Sequence, residues 1–138
     1  GQLDKTLFPS EIFYLPQKAP VFDLTAGQML LAVTVRERAF AQHLSQLGED
    51  FNEFCEKPLA EMSEGQRKKF YLALAFSGDA KLLILDEPTN HLDDAGRKTL
   101  AEWIAKRGRG VVVISHDSVL EAVDAGCWKV QNGGLAYV

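Results

Sequence analysis

The segment KLLILDEPTNHLDD, residues 81–94, decides the fold of this chain. Its apolar run LLIL is short, continuous and followed at once by acidic side chains, and a second such run, VVVIS, spans residues 111–115. Runs of this kind are typical of central parallel strands whose two faces are both covered. Leu100, Trp103 and Ile104 lie between the runs at i, i+3, i+4 spacing, which predicts a connecting helix. The pattern therefore predicts a βαβ unit and an α/β fold.

Two further stretches predict β-structure. EIFYL, residues 11–15, is rich in β-forming residues and is closed by Pro16, which cannot donate a ladder hydrogen bond. The carboxyl-terminal WKVQNGGLAYV has two short β-prone runs on either side of residues 132–134, Asn-Gly-Gly. Because these residues tolerate the positive φ of a tight turn, the pattern predicts a β-hairpin.

The stretch between the first strand and LLIL predicts helices. Thr25 is a candidate N-cap, a helical pattern runs from there to Leu47, and Gly48 supplies a stop. A helical block thus covers about residues 25–61, and another helix begins near Ser63. The residues that share one helix face are Phe40, Leu44 and Leu47 in the block and Phe70, Leu74 and Ser77 in the later helix.

Composition narrows the class of protein. The chain has 138 residues, 46% of them hydrophobic, which is enough to bury one core and too few for two independent ones. A net charge of −4 argues against a general nucleic-acid binder, and we expect no direct DNA binding. The only cysteines, Cys55 and Cys127, fit no CxxC spacing, which favours a reducing cytoplasm. No apolar run reaches the about 18 residues of a membrane span, so we expect a cytoplasmic protein.

Three titratable residues follow the two predicted central strands. Asp86 and Glu87 follow LLIL, and His116 follows VVVIS. Because parallel strands bring ligands to their carboxyl ends, these side chains should converge at one edge of the sheet. There Asp86 could hold Mg²⁺ through its waters, Glu87 could deprotonate an attacking water, and His116 could contact a terminal phosphate. The alternative is that the acidic residues only cap a strand and His116 is a satisfied loop histidine.

Four stretches resemble the motifs of the ATP-binding cassette (ABC) ATPases, in that family's order. LLILDEPTNHLD (82–93) resembles the Walker B motif and the D-loop that follows it. EMSEGQRKKF (61–70) is similar to the signature sequence, usually written LSGGQ. YLPQK (14–18) is similar to the Q-loop, and ISHD (114–117) to the switch-histidine loop. Any one match is weak, whereas four in order make coincidence improbable.

The resemblance implies both a fold and an activity. The fold is α/β, a partial P-loop NTPase (RecA-like) parallel-sheet core with an inserted α-helical subdomain. Residues 1–23 and 78–138 would form the core, and residues 24–77 the helical subdomain that carries the signature. The implied cofactors are ATP and Mg²⁺, and the implied reaction is hydrolysis of ATP to ADP and phosphate between two cassettes.

The resemblance also assigns roles to residues of the core. Gln17 would sense the metal and the γ-phosphate, and would link the helical block to the core. Asp86 would be the magnesium residue and Glu87 the general base. Asp93 would make the D-loop contact across a dimer, and His116 would be the switch histidine.

Ser63, Gly65 and Gln66 would form a signature loop that contacts the γ-phosphate of ATP on the partner cassette. Ser63 opens a helix, whose free N–H groups suit an anion, and Gly65 lets a ligand approach the backbone. The alternative is that Ser63 and Gln66 form a capping box, and both roles can hold at once. Met62 and Glu64 depart from the family pattern, and Glu64 would repel a phosphate unless it points away.

Other residues admit simpler explanations. His43 is expected to be a helix-flank residue, and His91 either pairs across an interface or has no role. Residues 67–69, Arg-Lys-Lys, are expected to form a solvated helix face. Phe22 lies where transporters of the resembled family touch a coupling helix of the membrane subunit, and core packing explains it equally well.

The phosphate-binding loop of the family is missing from this sequence. No GxxxxGK[ST] occurs, and none of the eleven glycines begins such a spacing. The chain therefore resembles the carboxyl-terminal part of a cassette, so we expect a longer parent, a complementing chain or an unusual packing. Losing two charge-assisted bonds of that loop would weaken ATP binding by roughly two to four decades. Loss of the neighbouring strand would leave an apolar edge beside LLIL.

Three roles remain open for the complete assembly. It could energise transport with a transmembrane permease, which the Q-loop region LPQKAPVFDLTAGQML favours, and it would then sit at the inner face of a membrane. It could be a soluble ABC-F-type ATPase on the ribosome, to which SEGQRKKF, NHLD and NGGLAYV are similar. It could also be a non-enzymatic cassette remnant that serves as an interaction module.

Overall fold

The computed structural model describes residues 11–33, 35–108, 110–121, 123, 128–131 and 134–137. Five strands form one sheet in the order β1-β2-β3-β4-β5. The pairs β1–β2, β2–β3 and β3–β4 are parallel, and β5 is antiparallel to β4. The strands are β1 Ile12–Leu15, β2 Leu82–Asp86, β3 Val111–Ile114, β4 Trp128–Gln131 and β5 Gly134–Tyr137.

Four helices and a short 3₁₀ helix lie between β1 and β2 in the chain, and one helix connects β2 to β3. This order confirms the predicted α/β fold, its βαβ unit and its inserted helical region. The elements are α1 Ala26–Leu31, α2 Glu37–Gln46, α3 Phe51–Glu56, the 3₁₀ helix Leu59–Glu61, α4 Glu64–Ser77, α5 Asp94–Arg107 and α6 Ser118–Glu121. None of the helices in the described part of the chain is long and apolar enough to cross a bilayer.

The sheet differs from expectation at β2. β1 and β3 pair with its two sides, so the expectation of an unpaired apolar edge beside LLIL is wrong. Leu83 and Leu85 are fully buried, whereas the alternate residues Leu82 and Ile84 are only half-buried. One face of the strand is therefore less covered than its continuous apolar run predicts.

The helical region is built from shorter pieces than the sequence pattern predicts. Thr25 caps α1 as expected, with its hydroxyl accepting from the Gln28 backbone N–H. The helix stops at Leu31, because the β-branched Val33 and Val35 that follow disfavour a helix, and Val35 forms an isolated antiparallel bridge with Gly78.

One hydrophobic core joins the helices to the sheet. Phe70 of α4 packs against Phe40 and Phe54, with ring centroids 5.8 and 6.3 Å away. These rings belong to the same buried cluster as Leu83 and Leu85 of β2. The predicted boundaries of the helical subdomain therefore stay a prediction, since the core runs across them.

Three further predictions concern the carboxyl-terminal hairpin, the two cysteines and Phe22. The β4–β5 pair confirms the predicted hairpin strands, and residues 132 and 133 of its turn lie outside the described residues, as does Cys127. Cys55 is a free thiol. Phe22 is 41% exposed, so core packing does not explain it.

Candidate active site

The carboxyl ends of β2 and β3 lie side by side and bring three predicted residues to one edge. Asp86 is in register with Ile114, and the Glu87 backbone N–H donates to the Ile114 carbonyl at 2.6 Å. Glu87 has φ of 47°, a left-handed conformation that costs a non-glycine residue about 1–2 kcal/mol. The chain thus turns sharply where the strand ends.

Glu87 and His116 face each other across this edge. The His116 Nε2 lies 3.7 Å from the Glu87 Oε1, so the two pair electrostatically when the histidine is protonated. The Glu87 side chain is 14% exposed, and that of His116 is 82% exposed. The expected convergence of these two residues is confirmed. A shielded carboxylate beside an accessible imidazole suits a base next to a group that contacts an entering ligand.

A carboxylate–guanidinium pair fixes the loop that carries His116. Arg97 of α5 donates from Nε to the Asp117 Oδ2 at 2.7 Å and from Nη2 to the Asp117 Oδ1 at 2.6 Å. The pKa of the Asp117 carboxyl is held well below its usual range by the Arg97 hydrogen bonds. Asp117 also accepts from the Val119 N–H at 3.0 Å, so the residue after His116 is tied to the loop on both sides.

An open cleft of about 510 Å³ lies over this edge. Glu87 and His116 line it together with Thr89, Arg97 and Asp117. Sequence reasoning did not find Arg97, because a lone arginine early in a helix has no distinctive local signal. The cleft is therefore polar and carries both signs of charge.

Gln17 lies on the loop after β1, and its carbonyl is held by a buried lysine. The Lys68 Nζ donates to the Gln17 carbonyl at 3.0 Å and to the Glu87 carbonyl at 3.4 Å. Burial lowers the pKa of Lys68, while the nearby Asp86, Glu87 and Glu64 oppose that shift. Gln17 and Lys68 line a second cleft of about 380 Å³.

Lys68 corrects the expectation of a solvated face at residues 67–69. Its side chain is 1% exposed, Arg67 donates to the Leu59 and Met62 carbonyls, and Lys69 forms an ion pair with Glu49 at 3.2 Å. The sequence contained a pattern that indicates the burial of Lys68, because this residue shares a helix face with the buried Tyr71 and Ala75 at i+3 and i+7.

The signature residues form a capped helix start. The Ser63 hydroxyl accepts from the Gln66 N–H, and the Gln66 Oε1 accepts from the Ser63 N–H, each at 3.1 Å. This is the capping box that the sequence offered as an alternative. Lys57 Nζ also donates to the Gln66 Oε1 at 3.0 Å.

The D-loop backbone covers Gly65. A Cβ at position 65 would lie 2.6 Å from the His91 carbonyl oxygen, so the glycine is needed for this close approach. Glu64 turns to His91 as well, with its Oε2 2.8 Å from the His91 Nε2. His91 therefore has a partner within the chain, and the Glu64 carboxylate points to it.

Asp93 begins α5 as its N-cap. Its Oδ1 accepts from the Gly96 N–H at 2.7 Å, which leaves Oδ2 for another partner. Asp93 is exposed. The predicted contact across a dimer therefore stays a prediction, and the local role of Asp93 is to cap the helix.

Comparison with known proteins decides the family. A family model described as ABC transporter matches residues 2–90, more than half of the chain. The chain belongs to this ABC family. The stretches that resemble the signature, the Walker B motif and the D-loop lie at α4, at β2 and in the turn before α5 respectively.

Similar proteins include an elongation factor, a ribosome protection protein and a phospholipid-transporting ATPase. The chain is 32% identical over 126 residues to elongation factor 3 of Gonapodya prolifera, covering 91% of the chain and 12% of that protein. It is 33% identical over 132 residues to the ribosome protection protein VmlR of Bacillus subtilis, covering 91% and 24%. It is 30% identical over 131 residues to the phospholipid-transporting ATPase ABCA7 of Homo sapiens, covering 85% and 6%. The chain thus spans a quarter or less of these relatives.

Solved structures confirm the ABC fold. A cobalt transport ATP-binding protein matches with a TM-score of 0.76 at 17% identity, covering 93% of this chain and 51% of that one. A dimeric ATP-binding cassette bound to ADP and phosphate matches with a TM-score of 0.68 at 17% identity, covering 93% and 63%. At these identities the likeness concerns the fold alone.

The ABC family implies ATP binding, with Mg²⁺ as the usual companion ion. Within the described residues, no group of three or more histidine, cysteine or acidic side chains could cage a metal. Mg²⁺ in nucleotide sites is held by one or two protein oxygens together with phosphates and water. The Asp86 carboxylate at the end of β2 and the amide oxygen of Gln17 are donors of that kind, so the residues present fit the ion.

Proposed function

We propose that this ABC domain contributes the general base and the phosphate-contacting histidine of an ATP hydrolysis site. The observation that carries the proposal is the Glu87–His116 pair, 3.7 Å apart at the carboxyl edge of two adjacent parallel strands. In this proposal Asp86 and Gln17 hold Mg²⁺, which neutralises charge on the phosphates when it is bound. The reaction converts ATP and water to ADP and phosphate.

The proposed step at Glu87 is deprotonation of water. Its shielded carboxylate orients a water and takes the proton as the water oxygen bonds to the γ-phosphorus, while the bond to the ADP oxygen breaks. His116 donates a hydrogen bond to a γ-phosphate oxygen and so stabilises the charge that shifts during transfer. Glu87 later releases its proton to solvent through the cleft.

The proposed site needs phosphate ligands beyond these 138 residues. The sequence holds no GxxxxGK[ST], so the lysine and backbone N–H groups that grip the β- and γ-phosphates come from elsewhere. A second ABC cassette is the proposed partner, against which Ser63, Gly65, Gln66 and Asp93 would lie. The dimeric cassette bound to ADP and phosphate, which shares this fold, supports that arrangement.

We propose transmembrane transport as the process that the hydrolysis energises. The family model and the ABCA7 relative support it. So does the exposed apolar surface after the Q-loop, where Val21, Phe22 and Leu24 are 50%, 41% and 42% exposed. A permease subunit at the inner face of a membrane would cover such a surface.

A role on the ribosome is the second candidate. The likeness to elongation factor 3 and to a ribosome protection protein supports it, since each covers 91% of the chain. In that case the protein is a soluble ABC-F-type ATPase, and the surface around Phe22 contacts another partner.

Replacement of Glu87 tests the proposed chemistry. In the full-length protein expressed from its gene, with the chains that copurify with it, E87Q should still bind ATP but lose hydrolysis by on the order of 10²-fold or more. E102Q, on the exposed side of α5, is the matched control. Phosphate release and nucleotide binding are measured side by side. Undiminished hydrolysis by E87Q would remove Glu87 as the base.

Cell fractionation distinguishes the role in transport from the role on the ribosome. Lysate of cells expressing the tagged full-length protein is divided between membrane flotation and a sucrose gradient. Flotation that persists in high salt, with a copurifying membrane subunit, supports transport. Cosedimentation with ribosomes in the E87Q variant, which retains ATP, supports the soluble role. Binding to neither would point to the remnant that acts only as an interaction module.

A further inference from the structure

Lys68 joins three motifs through one buried ammonium group. It lies on α4, in the second turn after the signature residues, and its side chain is 1% exposed. Its Nζ donates to the carbonyls of Gln17 and Glu87, which follow β1 and β2 respectively. The two loops that carry the proposed metal sensor and the proposed base are thus held by the same atom.

Packing alone does not account for the burial of the Lys68 ammonium group. An apolar side chain of similar length would fill the space without the cost of taking an ammonium out of water. Both contacts of the Nζ are to backbone carbonyls, so they fix main-chain positions and leave the Glu87 carboxylate to face His116. Burial lowers the pKa of Lys68, and the nearby Asp86, Glu87 and Glu64 only oppose that shift. Lys68 is therefore suited to positioning.

The same helix presents its first turn to the proposed partner cassette. Lys68 is five residues after the N-cap Ser63, which places it about 7.5 Å along the helix axis. The capping box closes the start of α4, and ring contacts with Phe40 and Phe54 hold Phe70 of the same helix in the core. A displacement of the signature residues on engaging the partner's nucleotide would therefore move the Lys68 Nζ relative to the Gln17 and Glu87 carbonyls.

We propose that Lys68 is a positioning residue that couples engagement of the signature residues to hydrolysis at the chain's own Glu87. This inference rests on the proposed function and extends it, because it supplies a physical link between the two ATP sites of a cassette pair. The single chain already shows Lys68 holding the Q-loop and the Glu87 turn, and this arrangement is the working one in our proposal. When α4 is displaced, both loops lose that support together.

The test compares K68M and K68R with K69M in the purified full-length protein and its copurifying chains. K69M is the control, because Lys69 lies on the same helix and pairs with Glu49 away from both loops. K68M should bind ATP with nearly unchanged affinity and hydrolyse it on the order of 10²-fold more slowly. The Hill coefficient for ATP should fall from between one and two towards one. K68R, which keeps the charge and the donors, should restore part of both.

The outcomes separate this inference from the proposed function. Wild-type turnover and Hill coefficient in K68M would overturn the coupling, and the loss of turnover in E87Q would still support the proposed base. Slow turnover in K68M with an unchanged Hill coefficient would also overturn it, since a merely structural lysine gives that result. If K68M does not fold, K68R carries the test, because its altered geometry should lower the Hill coefficient with wild-type melting temperature. A wild-type protein without ATPase activity would overturn both the proposed function and this inference.

Discussion

Arg97 donates to both carboxylate oxygens of Asp117, at 2.7 and 2.6 Å, and thereby joins the start of α5 to the residue after His116. A third bond runs from the Arg97 Nη1 to the Asp94 Oδ1 at 2.9 Å. The guanidinium therefore connects the helix that follows the D-loop to the switch-histidine loop. His116 itself is 82% exposed, so its position depends on neighbours that are better fixed than it is.

Substitution of Arg97 by lysine should disturb His116 without removing a charge. A lysine ammonium cannot make the paired bonds of a planar guanidinium, so the loop should lose its fixed position. We expect R97K to lower kcat for ATP hydrolysis by about tenfold to hundredfold in the full-length protein, with a smaller change in KM. R38K, at an exposed position of α2, is the control and should match the wild type. Equal kcat in R97K and wild type would show that the pair does not position the switch.

His43 should make stability depend on pH. Burial lowers the pKa of this imidazole below 6.5, and its Nδ1 lies 2.6 Å from the Ser77 Oγ. The unfolded chain therefore binds the proton more readily than the folded chain. The stabilisation is fully present above about pH 6.5 and is lost as pH falls below that value towards the lowered pKa.

Urea unfolding of wild type and H43Q tests this dependence. The wild type should lose stability as the pH falls from 7.5 to 5.5, because the unfolded chain takes up a proton at His43 more readily than the folded chain does. H43Q should show a flatter dependence over the same range, because its amide does not titrate. Parallel curves for the two proteins would contradict the assignment.

Gly65 should tolerate no side chain, because the D-loop passes directly over it. The Cβ of G65A would lie 2.6 Å from the His91 carbonyl oxygen, and overpacking of this kind costs about 1–3 kcal/mol. G27A, in α1, is the control, since its Cβ would lie 3.1 Å from the Cys55 carbonyl oxygen of α3. At that position the gain in helix propensity, up to about 1 kcal/mol, offsets part of the free-energy cost of the close contact. Denaturant midpoints should therefore fall clearly in G65A and little in G27A; the reverse order would contradict the packing.

The local pattern of the sequence was sufficient for the central unit of the fold. LLIL and VVVIS are long enough and apolar enough to be strands, and a helix between them leaves few topologies, so the convergence of Glu87 and His116 followed. The N-cap at Thr25 and the capping box at Ser63 were also readable, because they depend on residues close together in the sequence.

The features that the sequence did not reveal depend on distant contacts. Lys68 lies in a run of three basic residues, and only the carbonyls of Gln17 and Glu87 make its burial intelligible. The end of α1 at Leu31 depends partly on Val35 meeting Gly78 across more than forty residues. The Gly65–His91 approach and the Arg97–Asp117 pair likewise join segments whose proximity is set by the tertiary fold.

At Glu87, the left-handed backbone conformation and the need for a carboxylate favour different residue types. Glycine or asparagine would adopt φ of 47° at little cost, and either would relieve strain while removing the carboxylate. Folding stability therefore favours glycine or asparagine at this position, whereas the proposed chemistry requires glutamate. In the proposed role of Glu87 as the base, a glutamate at this turn lowers the stability of the fold in exchange for a carboxylate at the cleft.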